Sequence, residues 1–427
     1  MEILIICLFI LGYFAIAFEH TIKINKSATA LLTGVLCWTV YILYGNDKQL
    51  ISQQLTEHLG ELSGILFFLL GAMTIVELID AHDGFDLITS NINTINKRKL
   101  LWIICFITFI LSALLDNLTT AIVMVSLLRK LIDDRNDRLF FTGMVVIAAN
   151  AGGAWSPIGD VTTTMLWIGG QITASNIIAK LFIPSLVCLL VPLSIISIKL
   201  KGKVVKPVFT PDKRDKSLTK SERNIIFFTG IGGLIFVPIF KTITHLPPFM
   251  GVLFALGILW VVTEIIHRQK DNENKDALSV AHALRKIDAP SILFFLGILI
   301  AISALQSTGQ LTILAQMMNE KIASLNIIVP SIGLLSAIID NVPLVAATTG
   351  MYDLHIYPAD SYLWEFLAYC AGTGGSILII GSAAGIAAMG MEKIDFLWYL
   401  KKIAWLAAIG YFTGALCYIA QEYIFYS

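Results

Sequence analysis

Long apolar stretches separated by short polar segments make up most of this chain. Many of them approach the roughly 20 residues that a helix needs to cross a bilayer. They begin at Met1, Ala28, Leu62, Leu101, Phe140, Val161, Ala179, Ile225, Gly251, Pro290, Asn326, Trp364 and Ile403. Several are interrupted by Gly, Pro or Asp, which favours discontinuous helices. The pattern predicts an all-α polytopic membrane protein.

Composition supports the same class. Hydrophobic residues make up 56% of the 427 residues, charged residues only 14%, and the mean hydropathy is +0.79. Such a chain has too few polar residues to cover a soluble domain, so its expected surroundings are a lipid bilayer. The formal net charge of zero gives no sign of a nucleic-acid partner. The six cysteines lie in apolar runs without metal-ligand spacing, which is typical of small buried side chains.

One motif occurs twice, about half a chain apart. Residues 112–120 read Ser-Ala-Leu-Leu-Asp-Asn-Leu-Thr-Thr, and residues 336–344 read Ser-Ala-Ile-Ile-Asp-Asn-Val-Pro-Leu. Each copy places an acid, Asp116 or Asp340, inside an apolar segment. A charge near the bilayer centre costs about 2.5 to 3.5 kcal/mol even on lenient scales, so such acids usually face a wet cavity and handle ions or protons.

The doubled motif predicts two inverted-topology repeats with re-entrant hairpins and discontinuous transmembrane helices. Further matches follow each hairpin: Gly152-Gly153 corresponds to Gly374-Gly375, and Gly159-Asp160 to Gly381-Ser382. The predicted organisation is a first membrane repeat over residues 1–200, a cytoplasmic linker over 201–224 and a second, inverted membrane repeat over 225–427.

Basic residues predict the orientation. We take the amino terminus as outside, both Asp segments as re-entrant, and segments 140–178 and 364–390 as crossing once each. Only four of the 30 Lys and Arg residues then lie on the outer side: Lys48, Lys180, Lys241 and Lys321. This asymmetry agrees with the positive-inside rule, and a full crossing at either Asp segment would reverse every later loop.

Polar groups concentrate at the breaks in the apolar segments. Asn117 follows Asp116, and Asn341 follows Asp340. The glycine-rich segments 150–160 and 372–385 are expected to unwind and to leave carbonyl groups without helical partners. Carboxylate, amide, hydroxyl and carbonyl oxygens together suit a hard cation such as sodium, by extension from the ligand preferences of calcium and magnesium.

The first half is the more acidic. Asp116, Asp160 and Glu77 belong to it, whereas the repeat partners of Asp160 and Glu77 are Ser382 and Ser303. The first half is therefore expected to carry the cation and proton chemistry. Removal from water favours the protonated carboxyl group, so one acid can hold a proton until a cation displaces it. Competition of this kind is sufficient for antiport.

Each of these residues also has a purely structural interpretation. Asp116 and Asp340 could serve only as helix N-caps. The hydroxyl groups of residues 162–164 could bond only to their own helix. Glu77 lies near the inner end of its helix, where a solvated face explains it equally well.

Beyond these patterns, the chain resembles the NhaD family of sodium/proton antiporters, within the ion transporter superfamily. The resemblance covers essentially the whole chain. It is carried by Gly12-Tyr13, the stretch from Glu19-His20 to Ile24-Asn25-Lys26, the two Asp-Asn segments, and the break Ala-Gly-Gly-Ala-Trp-Ser-Pro-Ile-Gly-Asp-Val-Thr-Thr at 151–163.

The resemblance implies exchange of cytoplasmic sodium, and often lithium, for external protons. The membrane would be a bacterial inner membrane or that of an organelle of bacterial descent, and a homodimer is one assembly that the sequence allows. The positions that match the family's functional residues are Ser112, Asp116, Thr119, Asp160, Thr162, Thr163, Ser336, Asp340, Asn341, Ser376 and Ser382. The sodium ligands expected on this basis are Asp116, Asp160, Thr119, Thr163 and Asn341. The family's additional acid is either Glu61 or Glu77.

Other functions fit the residues less well. Uptake of arsenite or of a di- or tricarboxylate would favour neutral hairpin tips and a fixed cation deep in the apolar core. A channel or receptor fits the composition, but inverted broken helices favour alternating access. An enzyme is least expected, because no cofactor motif or nucleophile–base pair is found. No cofactor other than the transported ions is predicted.

Overall fold

The computed structural model describes residues 2–17, 19–85, 87, 92, 94–205, 219–268, 278–322, 324–338 and 340–425. Within these ranges the regular structure is helical. The helices are α1 (Glu2–Ala17), α2 (Glu19–Ile22), α3 (Lys26–Tyr44), α4 (Lys48–Ala81), α5 (Lys97–Leu114), α6 (Asn117–Leu131), α7 (Arg135–Gly153), α8 (Val161–Ile168), α9 (Ala174–Lys199), α10 (Lys220–Thr244), α11 (Pro248–Ile266), α12 (Val280–Lys286), α13 (Ala289–Ser307), α14 (Gln310–Ile322), α15 (Leu325–Leu335), α16 (Asn341–Met351), α17 (Tyr362–Gly374), α18 (Ala383–Glu392), α19 (Phe396–Lys402) and α20 (Ala404–Phe425).

Among the described residues, 7 helices are long and apolar enough to cross a membrane. They are α3, α4, α9, α10, α11, α13 and α20. A helix suits this environment because most of its backbone groups are hydrogen-bonded within the segment, and a bilayer core offers no water to replace those bonds. The prediction of an all-α multi-pass membrane protein is confirmed.

Glycines allow the long helices to approach closely. A side chain at Gly297 of α13 would meet the backbone of Ala30 in α3 at 2.5 Å. Likewise, a side chain at Gly410 of α20 would lie 2.3 Å from the carbonyl oxygen of Cys188 in α9. Small residues at such crossings bring backbones together, which is how membrane helices gain packing energy without a hydrophobic driving force between them.

Short helices begin at each of the breaks that the sequence predicts. α6 has 15 residues, α8 has 8, α16 has 11 and α18 has 10. At 1.5 Å per residue, even α6 spans only about 22 Å, less than the roughly 30 Å of a hydrocarbon core. Residues in the first turns of these helices are buried, which places the helix starts in the protein interior: Asn117, Thr162, Asn341 and Ala384.

The two copies of the doubled motif make equivalent contacts. The Ser112 hydroxyl donates to the carbonyl oxygen of Ala149 at 2.6 Å, and the Ser336 hydroxyl donates to that of Ala371 at 3.0 Å. Ser112 lies in the last turn of α5, and Ser336 caps the C-terminus of α15; the acceptors lie in α7 and α17, both of which end at a glycine. The same local sequence thus produces the same tertiary contact in both halves of the chain.

The predicted linker over 201–224 lies largely outside the described residues, which resume at residue 219. Its first part packs against the ends of α5 and α7: Asn96 and Lys203 form a β-bridge, and the Asp133 amide donates to the Val205 carbonyl oxygen at 2.8 Å. The start of the linker therefore lies beside the Lys-rich end of α5.

Candidate functional site

Four helix N-termini each carry a capping side chain from the predicted set. Asp116 caps α6, Asp160 caps α8, Asp340 caps α16 and Ser382 caps α18. Each side chain accepts a hydrogen bond from a backbone amide of the first turn, which would otherwise have no partner. Helix capping is therefore one role of these four side chains. Their contacts with other side chains indicate their further roles.

Asp160 lies at the centre of the network and is 1% exposed. One carboxylate oxygen accepts from the Thr162 amide at 2.9 Å and from the Thr162 hydroxyl at 2.8 Å. Its other oxygen accepts from the Asn117 side-chain amide at 2.5 Å. The Asn341 side-chain amide lies 3.3 and 3.4 Å from the two oxygens. A single acid is therefore held by amides from both predicted halves.

Asn150 connects this network to the fourth cap, and the sequence analysis did not identify it. Its side chain is fully buried in α7. It accepts from the Asn117 amide at 3.1 Å and donates to the Ser382 hydroxyl at 3.0 Å. The sequence feature that could have identified Asn150 is its uncharged amide in an apolar segment, immediately before Ala-Gly-Gly. Such an amide carries no formal charge, so it stands out less than an acid.

Asp116 is half-buried and has an unusual backbone conformation, with φ of 137°. This region favours glycine, and a non-glycine residue there is strained by about 1 to 3 kcal/mol. Its carboxylate accepts from the Thr119 amide and from the Thr119 hydroxyl, both at 2.8 Å. The strained cap fixes the carboxylate at the break between α5 and α6.

Asp340 has a different environment from Asp116. Its carboxylate accepts from the Val342 amide at 3.3 Å and lies 3.4 Å from the Lys26 ammonium nitrogen. Its neighbour Asn341 points its amide to Asp160, as described above. The second copy of the motif therefore contributes an amide to the centre and an ion-paired acid beside it.

Apart from half-buried Thr119, the predicted serine and threonine residues are buried, and most of their hydroxyl groups donate to nearby carbonyls. Thr163 donates to the carbonyl of Asp160 at 2.9 Å, and Ser376 donates to that of Thr373 at 2.6 Å. Ser112 and Ser336 bond across to neighbouring helices. Their hydroxyl oxygens keep lone pairs that can accept or coordinate.

Two cavities flank this network, and they are named inner and outer after the orientation that the basic residues predict. The inner cavity has a volume of 410 Å³; its lining includes Lys26, Glu77, Thr119 and Ala383. The outer cavity has a volume of 990 Å³; its lining includes Glu61, Gln306, Met165, Ala346 and His355. Glu61 and Glu77 are 16 residues apart on α4, about 24 Å along the helix. Thr119, which donates two hydrogen bonds to the Asp116 carboxylate, lines the inner cavity.

Neither candidate for the third acid joins the central network. Glu77 lies 3.4 Å from the Lys286 ammonium nitrogen in the inner cavity. Glu61 lies in the outer cavity, 3.7 Å from His58, and its side chain is 80% exposed. The sequence groups Glu77 with Asp116 and Asp160, but in the described residues Glu77 forms its ion pair with Lys286 and not a contact with either acid.

Other buried acids have fixed partners. Glu392 at the end of α18 binds the guanidinium groups of Arg129 and Arg138, at 2.6 and 2.8 Å. Glu365 in α17 accepts from the Tyr418 hydroxyl at 2.7 Å. No such fixed cation is found for Asp116 or Asp160: within the described ranges, neither forms an ion pair with Lys, Arg or His. Asp116 and Asp160 therefore have no resident cation that would compete with a mobile one.

These features define a multi-pass membrane protein with buried acids at the starts of broken helices. The model of the family described as "Citrate transporter" (CitMHS) matches residues 13–364. The chain belongs to this family of membrane transporters.

Individual relatives have more specific names. Sodium/proton antiporter 1 from Arabidopsis thaliana is 49% identical over 420 residues, covering 97% of this chain and 71% of that protein. Sodium/proton antiporter 2 from the same plant is 47% identical, covering 97% and 98%. The Na(+)/H(+) antiporter NhaD of Vibrio cholerae is 30% identical, covering 92% and 86%. The predicted resemblance to NhaD antiporters is confirmed. The family and these relatives are transporters and not enzymes.

Proposed function

We propose that this protein is a secondary active transporter that exchanges sodium for protons. The observation that carries the proposal is the pair Asp116 and Asp160: two interior carboxylates at breaks in the helices, with hydrogen-bond donors around them but no fixed cation. Relatives that cover nearly the whole chain are named sodium/proton antiporters, which supports the same function.

The ligands proposed for sodium are oxygens of Asp116, Asp160, Thr119, Thr163 and Asn341. The carboxylates supply the charge that a dehydrated cation needs, and the hydroxyl and amide oxygens supply neutral ligands. Asn117, Asn150 and Thr162 are proposed to position Asp160 and not to bind the ion. Lithium has the same charge and ligand preference and is the second cation proposed.

Proton coupling follows from competition for the same oxygens. Asp160 accepts hydrogen bonds from four donor atoms, about as many as a carboxylate has lone-pair sites, so a proton or a cation must displace one of these donors to bind. A proton and a sodium ion on one carboxylate exclude each other, because each neutralises the charge that attracts the other. Sodium from one side then displaces the proton, and a proton from the other side displaces sodium.

Alternating access is proposed to come from two inverted repeats with re-entrant hairpins, over residues 1–200 and 225–427. Three features support this: the doubled motif, the equivalent serine bonds of Ser112 and Ser336, and two cavities at opposite ends of α4. Rocking of one group of helices against the other would connect the centre to the inner cavity and the outer cavity in turn. The membrane is proposed to be a bacterial inner membrane or that of an organelle of bacterial descent.

Anion transport is the alternative that the family description brings forward. A di- or tricarboxylate carries charge of the same sign as Asp116, Asp160 and Asp340, so it would need several fixed cations at the centre. Within the described ranges, the lysine that reaches these acids is Lys26, and it is paired with Asp340. Repulsion therefore disfavours an anionic substrate at this centre.

Flux in sealed vesicles tests the proposed function. Purified protein is reconstituted with a pH-sensitive dye inside, and a proton gradient is imposed. We expect addition of sodium or lithium to dissipate the gradient, and addition of citrate with a non-transported cation to leave it intact. A response to citrate without one to sodium would exclude antiport and favour the anion transporter.

Single cysteines test the proposed topology. Arg98, in the first turn of α5, and Ala359, before α17, are both exposed. In a background without native cysteines, we expect a cysteine at Ala359 to react with an impermeant thiol reagent added outside intact cells. One at Arg98 should react only after permeabilisation. Labelling of both positions from outside would contradict the inverted arrangement. Asp212, in the predicted linker, lies outside the described residues and is expected to behave like Arg98.

A further inference from the structure

The two acids of the doubled motif differ in one contact. Asp340 has a resident cation, the Lys26 ammonium group, 3.4 Å from its carboxylate. Asp116 occupies the same position in the first copy, yet no ion pair involving it occurs in the described chain. The two copies of the motif share the Asp-Asn pair, yet the surroundings of their acids differ by one positive charge.

Lys26 is held in place from several directions. It is the first residue of α3, and its backbone amide donates to Glu19 at 3.1 Å. Its ammonium nitrogen lies 4.3 Å from the centroid of the Phe294 ring, a cation–π contact. Its side chain is 20% exposed and that of Asp340 is 13% exposed. An ion pair that is mostly removed from water is much less screened than a surface pair.

Besides Lys26, five charged residues line the inner cavity. They are Glu19, Glu77, Asp80, Lys286 and Asp288. Lys286 pairs with Glu77, at 3.4 Å. Of the lysines that line this cavity, only Lys26 contacts an acid of the doubled motif. Thr119, which donates to the Asp116 carboxylate, lines the same cavity.

We propose that Lys26 is the fixed counter-ion of Asp340 and confines the transported cation to Asp116 and Asp160. The inference rests on the proposed sodium/proton exchange. Lys26 is a positioning residue: it acts on the transported ion through its charge and does not bind it. With Lys26 in place, three carboxylates and one ammonium group leave two negative charges at the centre, which is the charge that sodium and protons share.

Charge substitutions at the pair are expected to act in opposite directions. Lys26→Met leaves Asp340 as an additional negative charge, so the sodium concentration for half-maximal exchange should fall. Asp340→Asn leaves Lys26 unpaired, so that concentration should rise. Each shift should be roughly tenfold, for unit charges about 10 Å apart at an effective dielectric constant of about 20.

The double variant Lys26→Met/Asp340→Asn provides the decisive readout. It restores the net charge of the centre and leaves no unpaired buried charge, so it is also the variant least prone to misfold. We expect it to exchange sodium for protons with a half-maximal sodium concentration within about threefold of the original protein. Lys26→Arg keeps the charge and should behave in the same way.

Lys286→Met is the matched control, since it removes a lysine from the same cavity that pairs with Glu77. It should shift the half-maximal sodium concentration less than threefold. An inactive but inserted double variant would make Asp340 a cation ligand and overturn the proposal. Equal shifts from Lys286→Met and Lys26→Met, or no shift from Lys26→Met, would also overturn it. Absence of exchange in the original protein would instead refute the proposed function.

Discussion

Sodium-driven proton flux is expected to fall at least a hundredfold when Asp160 or Asp116 is replaced by asparagine. Asparagine keeps the volume of the side chain and removes the charge that a dehydrated cation needs. Loss of one partner of a buried charge pair costs about 3 to 5 kcal/mol, and about 2.7 kcal/mol already corresponds to a hundredfold change in affinity. The measurement is the initial rate of proton flux after sodium addition to reconstituted vesicles.

Asp133→Asn is the matched control for this change. It makes the same chemical substitution at an exposed position between α6 and α7, and it should retain the original rate. Each variant must be inserted and monodisperse, because Asp116 and Asp160 also cap helices and a lost cap costs about 1 kcal/mol. Asparagine is itself a good cap, so folding should survive. Normal flux in both inserted variants would show that the site is wrong.

The sequence identified the breaks and their acids because each is a local signal. A carboxylate in an apolar run and a glycine-rich interruption are unusual wherever they occur, and Asp116, Asp160 and Asp340 all begin helices in the structure. The doubled motif also predicted which serines correspond, and Ser112 and Ser336 make equivalent contacts.

The contacts between distant segments could not be predicted. Asn341 reaches Asp160 across 181 residues, and Lys26 reaches Asp340 across 314. Nothing local to either residue specifies its partner, since the pairing depends on how α3, α8 and α16 pack. The same reason explains why the partner of Glu77 was not predicted. The sequence groups Glu77 with the central acids, whereas the structure pairs it with Lys286. Hydropathy alone cannot tell which face of α4 points to the centre.

Apparent sodium affinity is expected to weaken as pH falls, because protons and sodium compete for the same carboxylates. Where one proton is displaced by each sodium ion, the half-maximal sodium concentration should rise by up to about tenfold per pH unit, equivalent to about 1.4 kcal/mol. Coupling of two ligands is reciprocal, so raised sodium should equally weaken proton binding. If more protons than sodium ions move per cycle, each excess charge adds about 2.3 kcal/mol of driving force per 100 mV.

The half-maximal sodium concentration, measured across a pH series in vesicles of controlled orientation, tests the central claim most directly. The claim is that Asp116 and Asp160 bind sodium and protons in competition. It predicts a concentration that rises steadily toward acidic pH while the maximal rate at saturating sodium changes little. A half-maximal concentration that is independent of pH, with only the maximal rate changing, would contradict competition and indicate a separate proton site that regulates transport.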